Sequence, residues 1–153
     1  MNIETIKAVE AYRTLKMLKV AGMSDEAMLA VWKNLKALRP VSEAYDKDIE
    51  EVRATLQDDE FEKMQQRVKE AQEVERKVKE ESRDMSDAEK HEISEINTWF
   101  ATWNKKGQEY FKELAEKEVK VDIVEIDVEE LLKAFKISDK TFEEVEKLAW
   151  MTK

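Results

Sequence analysis

The sequence predicts a mainly α fold: an antiparallel bundle of long helices, or a coiled-coil-like hairpin, with one short β-strand and two short C-terminal helices. Three observations predict it. Apolar residues recur every three or four positions over long stretches, as they do on one face of a helix. Two glycines and one proline in 153 residues leave little turn-forming sequence for hairpins and sheets. A single stretch alternates apolar and polar residues in the manner of a strand.

The first helix is predicted over residues 3–19, with a stop at Gly22. The sequence Ser24-Asp25-Glu26 then caps the start of the next helix. The first helix is apolar on two sides, which is typical of a helix that is central in its fold or shared with another chain. Its second apolar face consists of Ile6, Val9, Met17 and Val20.

The second helix is predicted over residues 25–56, where a heptad repeat of apolar residues keeps its phase. The repeat is formed by Met28, Val31, Leu35, Leu38, Ser42, Tyr45, Ile49, Val52 and Leu56. Pro40 lies on the outer side of this seam and lacks an amide hydrogen. Two separate helices, the second opened by Pro40, are the alternative. The retained phase favours one helix that bends at Pro40 with its convex side toward solvent.

The third helix is predicted from Phe61 to Ser82, after a polar turn at residues 57–60. Its apolar stripe is thin and its other residues are mostly charged. We therefore expect residues 58–90 to form a charged outer helix or a projecting arm. The capping box Ser86-Asp87-Ala88-Glu89 predicts the start of a fourth helix.

The fourth helix repeats the seam pattern and is the natural antiparallel partner of the second. Its seam is formed by Ile93, Ile96, Phe100, Trp103, Gly107, Tyr110 and Leu114. Gly107 either allows a close backbone approach or ends the helix after two lysines. The retained phase favours continuation.

The predicted strand spans about residues 119–126, where Val119, Val121 and Ile123 alternate with polar residues. Its edges need partners. Residues 1–5, the same strand of a second copy, or a strand of another protein could supply them. We favour the same chain or a symmetric copy, because a vacant apolar edge would aggregate.

Two short helices follow the strand and complete a cap over residues 118–153. The first begins at a capping box on Asp127 and ends near Phe135. Ser138 and Asp139 are expected to cap the second. Four residues of this last helix are predicted to face inward: Phe142, Val145, Leu148 and Trp150.

The residue types argue against catalysis, and we expect a protein that is not an enzyme, with no catalytic residues, no cofactor and no metal site. The chain has no cysteine, one histidine and no glycine-rich loop. His91 lies four residues before Glu95, a pairing more typical of a helix surface than of a metal site, and Ala88 occupies the place where a di-metal bundle needs glutamate. Trp99 and Trp103, beside two lysines, are expected to pack rather than to stack on bases.

The charge pattern narrows the class of partner. A net charge of −9 disfavours binding to nucleic-acid backbones. It motivates an alternative function, an acidic inhibitor that mimics nucleic acid on a host enzyme. No basic leader and no apolar run of membrane-spanning length is found, so we expect a soluble cytoplasmic protein with no membrane partner. Residues 1–153 are predicted to form a single helical domain.

The chain resembles a family of small uncharacterised proteins encoded by tailed phages and prophages, over roughly residues 1–56 and 108–151. The likeness lies in Ala30-Val31-Trp32-Lys33-Asn34-Leu35-Lys36-Ala37-Leu38, Glu43-Ala44-Tyr45-Asp46, Phe111-Lys112-Glu113-Leu114, Glu118-Val119-Lys120-Val121-Asp122-Ile123 and Leu148-Ala149-Trp150-Met151. The resemblance implies a phage-derived accessory protein acting in a bacterial host, and it implies no functional residues.

The expected function is a non-enzymatic protein–protein interaction or assembly role. The partner is another protein or a second copy in a homodimer. A small-molecule enzyme is the third and least favoured class. The candidate interaction surface combines the second face of the first helix with the strand: Ile6, Val9, Met17, Val20, Val119, Val121 and Ile123.

Overall fold

The computed structural model describes residues 1–153 and confirms the mainly α fold, with long helices packed against one another. Six helices and two short strands follow one another along the chain. In order they are β1 (Asn2–Glu4), α1 (Thr5–Met17), α2 (Asp25–Leu56), α3 (Asp59–Glu80), α4 (Asp87–Glu116), β2 (Glu118–Lys120), α5 (Val128–Ser138) and α6 (Phe142–Glu146). Single 3₁₀ turns lie at Val20–Gly22 and Ala149–Met151. No helix combines the length and the apolar character needed to span a bilayer.

The two long helices that the heptad phase predicts are continuous. Helix α2 runs through Pro40, which is exposed, and α4 runs through Gly107, which is buried. The glycine lies close to the end of α2, because a Cβ added there would be 3.3 Å from Leu56 Cδ1. Gly107 therefore lies within the helix and is not its stop signal.

The chain divides into two compact units. The first unit comprises Met1–Asp48 and Glu113–Lys153, and the second comprises Ile49–Lys112. Helices α2 and α4 contribute residues to both units. The organisation of residues 1–153 as a single domain, with 58–90 as an outer helix or arm and 118–153 as a cap, stays a prediction.

The core of the first unit joins α1, the N-terminal half of α2, the segment after β2, and α5. It contains Ala8, Ala11, Leu15, Val31, Leu38, Val121, Ile126, Leu131, Phe135, Leu148 and Met151. The first half of the α2 seam is therefore buried against α1 and α5, and α4 is not its sole partner. Where α2 does meet α4 in this unit, Val41, Ala44 and Tyr45 line a shallow cavity together with Leu114.

The strand pairs within the chain, which is one of the arrangements expected from sequence. Strands β1 and β2 are antiparallel, with Ile3 opposite Val119. However, the strand covers only Glu118–Lys120, so the predicted range of 119–126 is too long. The reason is a change of partner along the segment, because the backbone of Val121 bonds Met1 and that of Ile126 bonds residues 151–153. No single neighbouring strand pairs with residues 119–126 along their whole length.

The last helix begins later than predicted. Helix α5 continues to Ser138, and Asp139 ends it in the left-handed conformation with φ of 54°. Thr141, rather than Ser138 or Asp139, is the N-cap of α6, and its N–H donates to the Glu144 carboxylate at 3.1 Å. Phe142, predicted to face inward, is 83% exposed, because it occupies the outer side of this shorter helix. Leu148 is fully buried as predicted.

The second unit is built on an antiparallel α3–α4 pair. Phe61 stacks on Trp103 with ring centroids 4.9 Å apart, and Arg67, further along α3, bonds Glu92, earlier on α4. In the same unit the Trp103 indole donates to the Leu56 carbonyl at the end of α2, at 2.8 Å. The predicted α2–α4 pairing is therefore only part of the packing, and α3 is the other partner of α4. Both tryptophans near Phe61 pack in this cluster, as the sequence predicts.

Candidate protein-docking surface

Exposed large apolar side chains concentrate in the first unit. All of them belong to it: Met1, Met17, Leu29, Trp32, Val124, Val128, Leu132, Ile137 and Phe142. Scattered exposed apolar residues are normal, but a concentration in one part of a molecule is typical of a binding surface. Two groups of these residues lie beside charged side chains that are held by hydrogen bonds or ion pairs within the chain.

The first group lies at a groove between the N-terminal half of α2 and residues 124–130. The groove has a volume of about 470 Å³. Leu29, which is 49% exposed, lines one wall, and Val124 lines the other. Trp32, 55% exposed, lies three residues beyond Leu29 on the neighbouring surface of α2, with the Lys36 ammonium 4.7 Å from its ring centroid. We call this site the acidic groove.

The far wall of the acidic groove is held in place by Asn34. The side chain of Asn34 is completely buried. Its Nδ2 donates to the Val124 carbonyl at 2.8 Å, and its Oδ1 accepts from the Val124 N–H at 2.7 Å. A carboxamide thus satisfies both backbone groups of one residue, and this fixes the position of Val124 at the groove.

One end of the acidic groove is closed by Glu130 on α5. Its Oε2 accepts from the Ser24 N–H at 2.7 Å, and its other oxygen accepts from the Lys133 ammonium. The Lys133 hydrogen bond, with that from Ser24, lowers the pKa of Glu130 below the ordinary value of a glutamate. Glu130 is therefore ionised at neutral pH and connects α5 to the start of α2.

The charge of this groove is mainly negative. Its lining includes four acidic side chains and two lysines: Glu26, Glu125, Asp127, Glu130, Lys33 and Lys153. Glu26 and Glu125 are exposed and form no ion pair within the chain. These two carboxylates are thus available to cations from another molecule.

The second group lies at the end of α1 and the end of α5. Met17 is 63% exposed, and its Sδ lies 4.0 Å from the Lys140 Nζ. The Lys19 N–H donates to Ser138 Oγ at 2.8 Å, which brings the chain after α1 against α5. Ile137, 48% exposed, lies against Gly22, since a Cβ added to this glycine would be 2.6 Å from Ile137 Cδ1. We call Met17 and Ile137, with the adjoining lysines, the Met17 patch.

The charged residues that flank Met17 are positive. Lys16 and Lys19 flank Met17, are exposed, and form no ion pair within the chain. Lys140 is more buried and pairs with Glu144 at 3.3 Å. The Thr141 N–H and Lys140 hydrogen bonds lower the pKa of Glu144, so this carboxylate is ionised. The two exposed lysines carry the charge that is available to a partner.

The residues that the sequence suggested for an interaction surface are distributed differently. Met17 belongs to the Met17 patch, and Val20 lies half-buried in the 3₁₀ turn that follows it. Val9 and Val121 are buried in the first unit. Ile6, Val119 and Ile123 are half-buried. Of these seven residues, Met17 is exposed and belongs to the surface described above. The other six are buried or half-buried.

Leu29 and Trp32 were not selected by the sequence reasoning, although a signal for them exists. Both are large apolar residues outside the heptad seam of α2, which is the side expected to face solvent. Large apolar residues on the polar side of an amphipathic helix indicate a second contact surface. The Asn34–Val124 contact has no such signal, because its residues are 90 positions apart.

The described surface consists of apolar side chains and charged groups. It holds no histidine, and no group of three or more acidic or histidine side chains converges anywhere in a way that could hold a metal ion. His91 lies outside this surface, at an exposed position of α4, where its Nε2 is 3.4 Å from Glu95 Oε1. No protein family, curated protein or solved structure matches the chain.

Proposed function

We propose that this protein is a non-enzymatic binding or assembly protein that docks another protein chain on its first unit. The observation that carries the proposal is the concentration of all exposed large apolar side chains in that unit. Burying such side chains against a partner gains about 25 cal/mol per Å² of apolar surface. The docking elements are the acidic groove and the Met17 patch.

The chemistry of the acidic groove indicates what a docked segment contains. Leu29 and Val124 favour an apolar side chain between the two walls. Glu26 and Glu125 favour lysine or arginine on either side of that residue. A segment with an apolar residue flanked by cations therefore complements the groove.

Ion pairing in the second unit weighs against the alternative of a nucleic-acid mimic. Such a mimic presents carboxylates that are free to meet the cations of a host enzyme. Here Arg67, Arg76 and Arg83 each bond two glutamates of the same unit. The carboxylates of the most charged segment are thus already partly engaged.

The resemblance to tailed-phage and prophage proteins extends the proposal to a phage-encoded accessory role in a bacterial host. Neighbouring genes test this extension independently of the binding surface. Packaging or tail genes beside the coding sequence would support it, whereas a metabolic operon would overturn it.

Capture of partners on the tagged protein, at low and high salt, tests the proposed function. The variant Leu29→Ser/Trp32→Ser removes the exposed apolar side chains of α2 in and beside the groove, and Leu132→Ser is the control, since Leu132 is also exposed but does not line the groove. We expect the wild type and the control to retain the same partner at both salt concentrations, and the double variant to lose it.

Two outcomes would overturn the proposal. Equal retention by the double variant would show that the groove is not the docking site. Loss of every partner from the wild type at high salt would favour the acidic mimic, because screening weakens exposed charge pairs far more than apolar contacts.

A further inference from the structure

We infer that the chain docked on this surface is a second copy of the protein, with the acidic groove of one copy against the Met17 patch of the other. The inference rests on the proposed function, since it names the partner of the same docking elements. It makes the protein a homodimer with two equivalent contacts.

Charge complementarity is the first argument for a second copy. Glu26 and Glu125 are exposed carboxylates without an ion pair, and they lie beside the apolar walls of the groove. Lys16 and Lys19 are exposed ammonium groups without an ion pair, and they lie beside the apolar Met17. Each element offers an apolar centre with flanking charges, and the two sets of charges have opposite sign.

The position of the two elements on α5 is the second argument. Glu130 closes the acidic groove, and Ile137 of the Met17 patch follows seven residues later, about 10 Å along the same side of the helix. The chain before α2 lies alongside α5 in the opposite direction, because Ser24 contacts Glu130 and Gly22 contacts Ile137. A negative and a positive element therefore lie side by side on one surface.

Such a surface is complementary to itself under a two-fold rotation. The rotation that brings the groove of one copy onto the patch of its partner brings the partner's groove onto the first patch as well. Both contacts form at once, so a closed dimer results rather than an open filament. A different partner protein would need a surface with the same arrangement, in which a positive element lies beside a negative one.

Charge reversal tests this pairing with the full-length chain. The groove variant is Glu26→Lys/Glu125→Lys, and the patch variant is Lys16→Glu/Lys19→Glu. The control variant is Glu62→Lys/Glu109→Lys, which reverses two exposed acids of the second unit. Circular dichroism establishes that each variant is folded, and sedimentation velocity over a wide range of protein concentration gives the dissociation constant of the dimer.

We expect the wild type and the control to reach twice the chain mass of 18.0 kDa as concentration rises. Each docking-element variant alone should weaken the dimer about tenfold or more, because like charges then face one another. An equimolar mixture of the groove and patch variants should restore wild-type affinity, since both contacts regain opposite charges.

Three results would overturn the inference. They are a wild type that stays monomeric at every concentration, reversal variants that dimerise like the control, and a mixture that does not regain affinity. None of these results overturns the proposed function, which is decided by whether Leu29→Ser/Trp32→Ser loses a captured partner. A monomeric wild type whose capture depends on Leu29 and Trp32 would mean that the partner is a different protein.

Discussion

The Asn34 side chain bonds both the N–H and the carbonyl of Val124, at 2.7 and 2.8 Å, across 90 residues of sequence. A buried carboxamide on α2 thus does for this residue what a neighbouring strand does in a sheet. The contact holds the extended segment after β2 against α2, and so it shapes the acidic groove.

Replacing Asn34 with alanine should destabilise the protein by about 1–3 kcal/mol, because the buried carboxamide is lost together with both of its hydrogen bonds to the Val124 backbone. Urea unfolding followed by circular dichroism measures the change. The matched control is Asn97→Ala, at an exposed position of α4. Equal unfolding midpoints for the two variants would contradict this role of Asn34.

Two tryptophans allow the same substitution to be compared with and without a hydrogen bond. The Trp103 indole N–H donates to Leu56, whereas the buried Trp150 Nε1 has no acceptor. Replacement by phenylalanine removes a made bond at Trp103 and an unsatisfied donor at Trp150. We expect Trp103→Phe to lower the free energy of unfolding by about 1–3 kcal/mol more than Trp150→Phe. Urea titration of both variants decides this, and a larger loss at Trp150 would contradict it.

Substitutions of Gly107 test how closely α4 approaches the end of α2 in the second unit. Alanine has the higher helix propensity, and its Cβ meets only the end of the flexible Leu56 side chain. We expect Gly107→Ala to change stability by no more than about 1 kcal/mol, in the stabilising direction. Gly107→Leu should destabilise by about 1–3 kcal/mol, because it overpacks this contact. Thermal unfolding of both variants distinguishes them, and equal tolerance of leucine would mean that the approach is loose.

The Arg67 network makes stability depend on acid pH. Arg67 bonds Glu92 at 2.6 and 2.7 Å and Glu95 at 2.8 Å, and these hydrogen bonds lower the pKa of Glu92 below its ordinary value. The folded state then binds the proton less readily than the unfolded state. The stabilisation is complete above the ordinary glutamate pKa of about 4.3 and is lost as pH falls through the lower, folded-state pKa.

The Arg67→Met variant should therefore lose less stability than the wild type between neutral pH and about pH 3. Urea midpoints across this range measure the difference. Lys69→Met is the control, because it removes one positive charge from the same helix at a residue without an ion pair. An identical pH dependence in Arg67→Met and the wild type would show that the network adds nothing.

Helix boundaries were largely predictable from sequence, because heptad phase and capping residues act locally. The phase predicted that α2 continues through Pro40 and α4 through Gly107. The cap of α6 was misplaced, since Ser138 and Asp139 are good capping residues in isolation. In the fold, Ser138 Oγ instead donates to the Ala134 carbonyl and accepts from the Lys19 N–H.

Features that depend on distant residues were less predictable. Alternation predicts a strand at 119–126, which is too long, because the position of β1 limits the paired strand to Glu118–Lys120. Val121 is buried within the core cluster of the first unit and Val9 is buried outside it, and the periodicity of the sequence alone does not determine either position. Of the residues that the sequence suggests for an interaction surface, Met17 is exposed, whereas the groove depends on the contact of Asn34 with Val124, which the sequence pattern does not indicate.

Site-specific photocrosslinking detects whether the groove on the first unit contacts another protein chain. A photoreactive phenylalanine analogue is placed at Trp32, beside the groove, and in a control protein at the exposed Asn97 of the second unit. After irradiation of bacterial cells that express each protein, we expect one discrete adduct at position 32 and none at position 97. No adduct at position 32, or the same adducts at both positions, would contradict the account.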